Sequence, residues 1–298
     1  MVDLSIVIVS WNVKKLLEEC LDSIHKNQGN FNLEVFVSDN ASRDGTAEMV
    51  KTKFPQVKYI QNEGNIGFPK ANNRALRYAQ GKYFLFLNPD TIVTPNALSE
   101  MLKFMEEHPK CGALGPKLLN PDETLQPSCR SFPTLETQLY NTLFLDVLFP
   151  KSKIFGKYLM SYWNHNEIKE VDQPMGSALL VRKAALDNVC CFDENIFIWY
   201  DEVDLCYRIK KAGWKIYFTP KANIFHYGGQ SFKQWKGIRK SLWGTYIWRK
   251  SRNYFFRKYY GSRTVPILIF FDMLQITIIL GLLYGIIKLA WFLIKLVF

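Results

Sequence analysis

The sequence predicts an α/β protein in which a Rossmann-like, mostly parallel sheet flanked by helices is followed by an apolar, membrane-associated helical tail. Three observations predict it. Short β-branched runs alternate with segments of helical period through about the first 105 residues, polar residues collect immediately after each strand, and Val265 to Phe298 is almost continuously apolar. Leu4 to Ser10, LSIVIVS, is an unbroken apolar run of the kind that forms a strand covered on both faces. Asn12 suits the cap of the next helix, in which Leu16, Leu17, Cys20, Leu21 and Ile24 recur at helical spacing. Leu33 to Ser38 is a second strand, ending at Asp39, and completes a βαβ unit. A short helix at Thr46 to Phe54, a strand at Val57 to Gln61, a helix at Pro69 to Ala79 and a strand at Tyr83 to Leu87 continue the alternation. The economical sheet is therefore parallel and doubly wound.

After Cys111 the pattern is less regular. Residues 116–172 read as a loop-rich, partly helical insertion over the sheet, followed by a strand at Ser177 to Val181, a helix at Val203 to Ala212 and a strand at Lys215 to Phe218. The expected organisation is a catalytic domain over residues 1–232, a basic aromatic amphipathic segment over 233–263 and a hydrophobic anchor over 264–298.

The formal net charge of +11 is local. Tyr207 to Arg263 holds fifteen Lys and Arg and no acid, whereas the remainder carries 23 basic against 27 acidic residues. Trp and Tyr interleave with those charges, which suits a helix lying on anionic lipid as well as a plain solvated face. The apolar run that follows argues against a nucleic-acid partner. Its uncharged core, Met273 to Ile287, is fifteen residues. A bilayer span needs roughly 20, so the tail either spans with Lys288 snorkelling or lies in one leaflet. No basic residue precedes the first apolar run and Asn12 interrupts it early, so no export signal is expected. Six cysteines without CxxC spacing suit reduced, mostly core positions in a cytoplasmic compartment.

In an open α/β sheet, ligands bind beyond the carboxyl ends of the strands. Ser10 and Asn12 follow the first strand, Asp39 ends the second, Asn65 follows the third, and Asn88 and Asp90 follow the fourth. One such residue is an ordinary turn former; their convergence marks a site. Neither GxGxxG nor a P-loop is present, which argues against a dehydrogenase and against the usual phosphate cradle of kinases. A nucleotide held by side chains and a metal remains. Asp39 suits the N3 proton of a pyrimidine, and Asp90 suits a divalent cation against a diphosphate.

Ser10-Trp11-Asn12, VSDNASRDGT from Val37, NEGNIGFPKANN from Asn62, LNPDT, GSALLVR from Gly176 and YDEVDLCYRIKKAGW from Tyr200 together resemble family 2 glycosyltransferases, bacterial rhamnosyltransferases in particular, in order over roughly residues 3 to 262. The resemblance implies a GT-A fold, a nucleotide-sugar donor (a dTDP- or UDP-sugar, with dTDP-rhamnose the one suggested), Mg²⁺ or Mn²⁺, and inversion at the anomeric carbon. It also implies a lipid-linked or polysaccharide acceptor at the cytoplasmic face of the inner membrane. The family's Asp-X-Asp motif falls on Asn88-Pro89-Asp90, which leaves one carboxylate, and His226 matches a family histidine that contacts the metal or diphosphate. Gly176 and Ser177 fall in a loop near the donor sugar. The general base falls on the Asp201-Glu202 pair, which the family usually writes Glu-Asp; Glu202 stands first by alignment and Asp201 second. Acidic residues at a helix start also have a purely electrostatic explanation. The missing first carboxylate and the exchanged pair keep a second reading open, a membrane-attached sugar-nucleotide-binding scaffold without turnover.

Overall fold

The computed structural model describes residues 2–229 and 238–297, and the chain divides into two compact units, Met1–Phe132 with Asn164–Arg252 and Pro133–Trp163 with Asn253–Phe298. The first unit begins with β1 (Leu4–Ser10), α1 (Lys14–Lys26), β2 (Leu33–Asp39), α2 (Thr46–Lys53), β3 (Lys58–Gln61), α3 (Phe68–Leu76) and β4 (Tyr83–Leu87). Then come β5 (Thr91–Val93), α4 (Ala97–Glu107), β6 (Cys111–Leu119), β7 (Leu125–Gln126) and β8 (Cys129–Arg130). The second unit supplies α5 (Leu135–Thr142) and α6 (Leu145–Leu148). The first resumes with β9 (Lys169–Glu170), β10 (Gln173–Pro174), β11 (Ala178–Arg182), α7 (Lys183–Val189), α8 (Asp201–Lys211) and β12 (Lys215–His226). Two long helices close the chain, α9 (Ile238–Tyr260) and α10 (Thr264–Val297).

The sheet runs in the order β3-β2-β1-β4-β11-β6-β12-β5, with β7 on β6 and β9 on β12. β3, β2, β1 and β4 are parallel, as the alternation predicts, and β6 pairs β12 in parallel. β11 departs from the doubly wound expectation because it lies antiparallel between β4 and β6. Every residue of β1 is buried, so both faces are covered. α1 buries Leu17, Cys20, Leu21 and Ile24, one stripe at helical spacing, against that sheet.

Parallel pairing fixes where chain ends meet. Ser10 sits opposite Asp39 and Asp39 opposite Gln61, so the strand ends that carry polar residues lie side by side. Ala178 opens β11 opposite Leu87, which brings Ser177 to the same edge. The final residue of β12, His226, pairs with Thr91 of β5 and so stands beside Asp90.

Residues 230–237, which include the start of the basic aromatic segment expected over 233–263, lie outside the described residues. Within the first unit, α9 packs protein on much of its surface. Trp248 meets Tyr200 edge-on at 6.0 Å, Arg252 lies 5.0 Å over Trp248, and Ser251 Oγ donates to the Ile198 carbonyl at 2.9 Å. In the second unit, α10 packs along α5, and Gln275 Nε2 donates to the Asn141 carbonyl at 3.3 Å. Residues 264–286 of α10 form, among the described residues, a helix long and apolar enough to cross a membrane. All six cysteines are free, four of them buried. Burial pushes the thiols of Cys20, Cys111 and Cys129 up to about 12.

Candidate active site

A cleft opens at the shared strand ends and is lined by Ser10, Trp11, Asn65, Asn88, Asp90 and Trp243, among others. Ser10 Oγ is fully buried on this cleft with no partner among the described residues, a polar atom for a ligand to satisfy. Asn12 takes a positive φ of 52° and ties the first turn to the second: its N–H donates to Ser42 Oγ at 2.7 Å and its Oδ1 accepts from Arg43 N–H at 2.7 Å. Asp39 is buried, with its carboxylate accepting from the Ser42 amide at 2.8 Å and the Ser42 hydroxyl at 2.6 Å. Tyr59 stands near it, and burial followed by the Asp39 charge raises the Tyr59 hydroxyl far above its ordinary value.

Asn65 belongs to an amide network that the sequence does not announce. Asn40 Nδ2 donates to Asn65 Oδ1 at 3.2 Å, Asn62 Nδ2 to Asn40 Oδ1 at 2.9 Å, and Arg74 to Asn62 Oδ1 at 3.0 Å. This chain of bonds stiffens the cleft wall that Asn40 and Asn65 line.

Asn88 and Asp90 are held from both sides. The Asn88 amide donates to the Ser177 carbonyl at 2.9 Å, its own carbonyl accepts from Thr91 Oγ1 at 2.7 Å, and the Asp90 carbonyl accepts from Tyr227 N–H at 2.9 Å. Gln126 Nε2 donates to Asn120 Oδ1 at 2.9 Å and to the His226 carbonyl at 3.2 Å, which turns Gln126 Oε1 toward His226 Nδ1 at 2.7 Å. The Nδ1 proton is thereby fixed, and in the neutral ring the Nε2 lone pair faces Asp90 Oδ1 at 3.4 Å and Asn88 Nδ2 at 3.4 Å. Among the described residues no three His, Cys, Asp or Glu side chains cluster as a metal site. Asp90 and His226 nonetheless fit a divalent cation that completes its shell with substrate phosphates: an oxygen and a nitrogen donor converge, and the histidine is oriented from behind by a hydrogen bond. Gln126 was invisible in the sequence, since it lies 100 residues from His226 on a two-residue strand.

The Asp201-Glu202 pair opens α8 after two consecutive residues in the left-handed region, Trp199 at φ 59° and Tyr200 at φ 63°. Asp201 is 4% exposed; burial, then the charge of Glu202, raises its carboxyl well above the usual range. Glu202 is partly exposed, and its side chain runs along Gly176, where an added Cβ would stand 3.2 Å from Glu202 Cβ. Burial raises the Glu202 carboxyl, opposed by its own amide, the Arg130 guanidinium and the Gly176 amide. Arg130 is a second neighbour that sequence reasoning missed. Ser177 Oγ is buried without a partner among the described residues. Because Ser177 bonds Asn88, the Glu202–Gly176 and Asp90–His226 groups are joined through one short segment. Asp204 and Arg208 form the structural i, i+4 pair at 2.7 Å, as their spacing predicts. Arg182, the last residue of β11, is a clamp: its guanidinium donates to Cys111, Met105 and His108 carbonyls and to Tyr83 Oη.

The family model for glycosyl transferase family 2 matches residues 5–162. The chain is 29% identical over 210 residues to an N-acetylglucosaminyl-diphospho-decaprenol L-rhamnosyltransferase of Mycobacterium tuberculosis, covering 67% of this chain and 68% of that protein. It is 27% identical over 235 residues to the rhamnosyltransferase WbbL of Escherichia coli, covering 74% and 82%. Among solved structures, GalNAc-T7 with UDP, GalNAc and Mn²⁺ superposes with a TM-score of 0.57 at 16% identity over 76% of this chain and 44% of that one. The mannosyltransferase PcManGT of Pyrobaculum calidifontis, with GDP-Man and Mn²⁺, gives 0.53 at 18% over 84% and 60%. The chain thus spans less than two thirds of either solved structure, and the likeness shows the GT-A fold alone. With the family model matching more than half of its length, the chain belongs to glycosyl transferase family 2.

Proposed function

We propose that this glycosyltransferase moves a hexose, with rhamnose from dTDP-rhamnose as the leading donor, onto a lipid-linked or polysaccharide acceptor with inversion at the anomeric carbon. The observation that supports the reading is the segment Gly176–Ser177, which lies against Glu202 at its first residue and accepts from the Asn88 amide, two residues before Asp90, at its second. The rhamnosyltransferases it resembles support the sugar, and the acceptor named for one of them supports a lipid diphosphate.

In this reading Ser10, Asn12, Asp39, Asn65 and Asn88 hold the nucleotide end of the donor, and Gly176 and Ser177 lie against its sugar. Asp90 and His226 hold Mg²⁺ or Mn²⁺, which when bound neutralises charge on the departing diphosphate. Glu202 accepts the acceptor hydroxyl proton as that oxygen attacks the anomeric carbon from the face opposite the diphosphate. The bond from the anomeric carbon to the diphosphate oxygen breaks, and its electron pair leaves with the nucleoside diphosphate. Partial burial raises the affinity of Glu202 for a proton, which suits a base, whereas Asp201 is closed off from the solvent. The catalytic domain (1–232), the basic aromatic segment (233–263) and the anchor (264–298) would work as one membrane-bound enzyme at the cytoplasmic face. α10 holds the acceptor's bilayer close, by spanning it or by lying in one leaflet.

The test is nucleotide release by detergent-solubilised protein from dTDP-, UDP- and GDP-sugars, with and without Mg²⁺ or Mn²⁺, and with membrane lipid extract as acceptor. Glu202→Gln should lose about 10²- to 10⁴-fold in turnover while still binding nucleotide. Full turnover in Glu202→Gln, or none from any donor in the unaltered protein, overturns the assignment.

A further inference from the structure

The second compact unit carries an apolar surface that the transferase reading does not use. Between α5 and residue 157 the chain folds into α6 and a tight turn, and it exposes Leu143, Val147, Leu148, Phe149 and Ile154; Val147 and Leu148 are 67% and 66% exposed. This is not a loose loop. Ser152 Oγ accepts from the amides of Ile154 and Phe155, both at 3.2 Å, and Ser161 Oγ donates to the Pro150 carbonyl at 2.6 Å. Phe155 packs edge-on against Tyr140 at 5.1 Å and lies 5.6 Å from Phe149. The turn is therefore built to present apolar side chains outward.

Its charges are sorted as well. Asp146, the only acid from residue 143 to 157, is buried and accepts from Asn141 Nδ2 and the Val147 amide, both at 3.0 Å. Lys151 and Lys153 are exposed beside the apolar face. Glu136 of α5, half exposed on the near side, is paired with Lys157 at 3.9 Å, which leaves Lys151 and Lys153 at the rim of an apolar tip, an arrangement that matches the boundary between acyl chains and anionic headgroups.

Asn141 of α5 serves both elements: its side chain donates to Asp146 of the turn and its carbonyl accepts from Gln275 of α10, so the turn and the apolar helix are both tied to α5. Along α10 the covered positions, among them Thr264, Leu268 and Gln275, end near residue 278, and residues 279–286 are exposed throughout. We infer that residues 143–154 are a second membrane element, a lysine-rimmed wedge that enters the headgroup layer of an anionic bilayer beside α10 and marks the level from about residue 276 at which that helix becomes lipid-covered. This rests on the proposed membrane role of α10.

The test uses the full chain in liposomes with an environment-sensitive dye at a single new cysteine, Leu148→Cys or Leu280→Cys, in a background of Cys190→Ser and Cys191→Ser. Quenchers are iodide in the water, and lipids spin-labelled near the headgroup or deep in the acyl chain. At position 148 the headgroup-proximal lipid label should quench several-fold more strongly than the deep one, and iodide several-fold less than it quenches the free dye; at 280 the deep label should dominate. Replacing phosphatidylcholine with an equal mixture of phosphatidylcholine and phosphatidylglycerol should strengthen lipid quenching at 148. Lys151→Glu with Lys153→Glu should abolish that gain, each lysine shifting the insertion equilibrium about fivefold. Iodide access at 148 with lipid quenching at 280 overturns the wedge and leaves the anchor; iodide access at both overturns both. Shielding of 148 from every quencher, dependent on protein density, assigns the surface to a second copy and likewise overturns the wedge.

Discussion

Gly67 is the residue whose replacement tests the architecture of the site most directly. It precedes α3 with φ 89° and ψ 168°, a region that essentially only glycine occupies, and a Cβ there would stand 2.6 Å from the Phe197 carbonyl oxygen. An alanine must therefore abandon that conformation, at about 1–3 kcal/mol, and push away a backbone oxygen that now accepts from the Phe68 amide at 2.8 Å. Losing that bond costs about 0.5–1.5 kcal/mol more. The expected destabilisation of Gly67→Ala is about 3 kcal/mol, or about 6–12 °C in Tm for a chain of this size. Because Gly67 and Phe197 both line the cleft, nucleotide affinity should fall as well. Gly64→Ala in the same loop meets nothing within 4 Å and should stay within about 0.5 kcal/mol of the parent. The assay is thermal unfolding in detergent with and without nucleoside diphosphate. A Gly67→Ala protein that melts and binds like Gly64→Ala would refute the reasoning.

Gln126→Ala removes the acceptor that fixes His226 Nδ1 and should weaken divalent-cation affinity about 10- to 100-fold, measured by Mn²⁺ titration with nucleotide present; unchanged affinity would separate His226 from the metal. Arg208→Met removes the guanidinium that pairs with the fully buried Asp204 and should destabilise by about 3–5 kcal/mol in denaturant titration, whereas an effect under about 1 kcal/mol would show that the pair is dispensable. Asp201 binds its proton more tightly folded than unfolded, so its contribution is fully present below the ordinary carboxylate pKa and is lost as pH rises through the folded value. Asp201→Asn, which cannot ionise, should accordingly gain Tm relative to the parent as pH rises from 5 to 8, and a gap that is flat or shrinks with pH would contradict the burial argument.

The first half of the sheet was legible because β1, β2 and β4 are short, largely apolar runs with a polar residue at or just past the end, and the edge strand β3, KYIQ, follows in the same alternation with helices. β6 was not, because Gly112, Gly115 and Pro116 read as breakers. In the fold those glycines are where other segments of the chain come closest: a Cβ at Gly112 would meet Trp214 Cβ at 2.6 Å, and one at Gly115 would meet Pro174 Cβ at 2.3 Å. β12 was likewise cut short at Phe218. Thr219-Pro220 marks a register shift, after which the strand resumes and carries His226 to the site. Asp90 and His226 were recognisable by motif, yet their proximity depends on β5 folding back against β12, a pairing between segments more than a hundred residues apart. Gln126 and Arg130 sit on two-residue strands whose placement only tertiary contacts specify.

The basic aromatic segment shows how one composition can serve two ends. Trp199 and Tyr200 both hold the left-handed conformation just before the Asp201-Glu202 pair, and each such residue costs on the order of 1–3 kcal/mol unless its surroundings impose it. The surroundings come largely from α9. Trp248 covers Tyr200, Trp243 meets Phe197 edge-on at 5.9 Å, and Ser251 bonds the Ile198 carbonyl. Aromatic residues that read from the sequence as headgroup anchors are thus partly committed to bracing the turn that aims the two carboxylates. Leu242 and Tyr246, at 64% and 61% exposure on the same helix, remain outward. A helix that braces the site with some of its aromatics and faces outward with others couples the carboxylate turn to whatever surface it lies on.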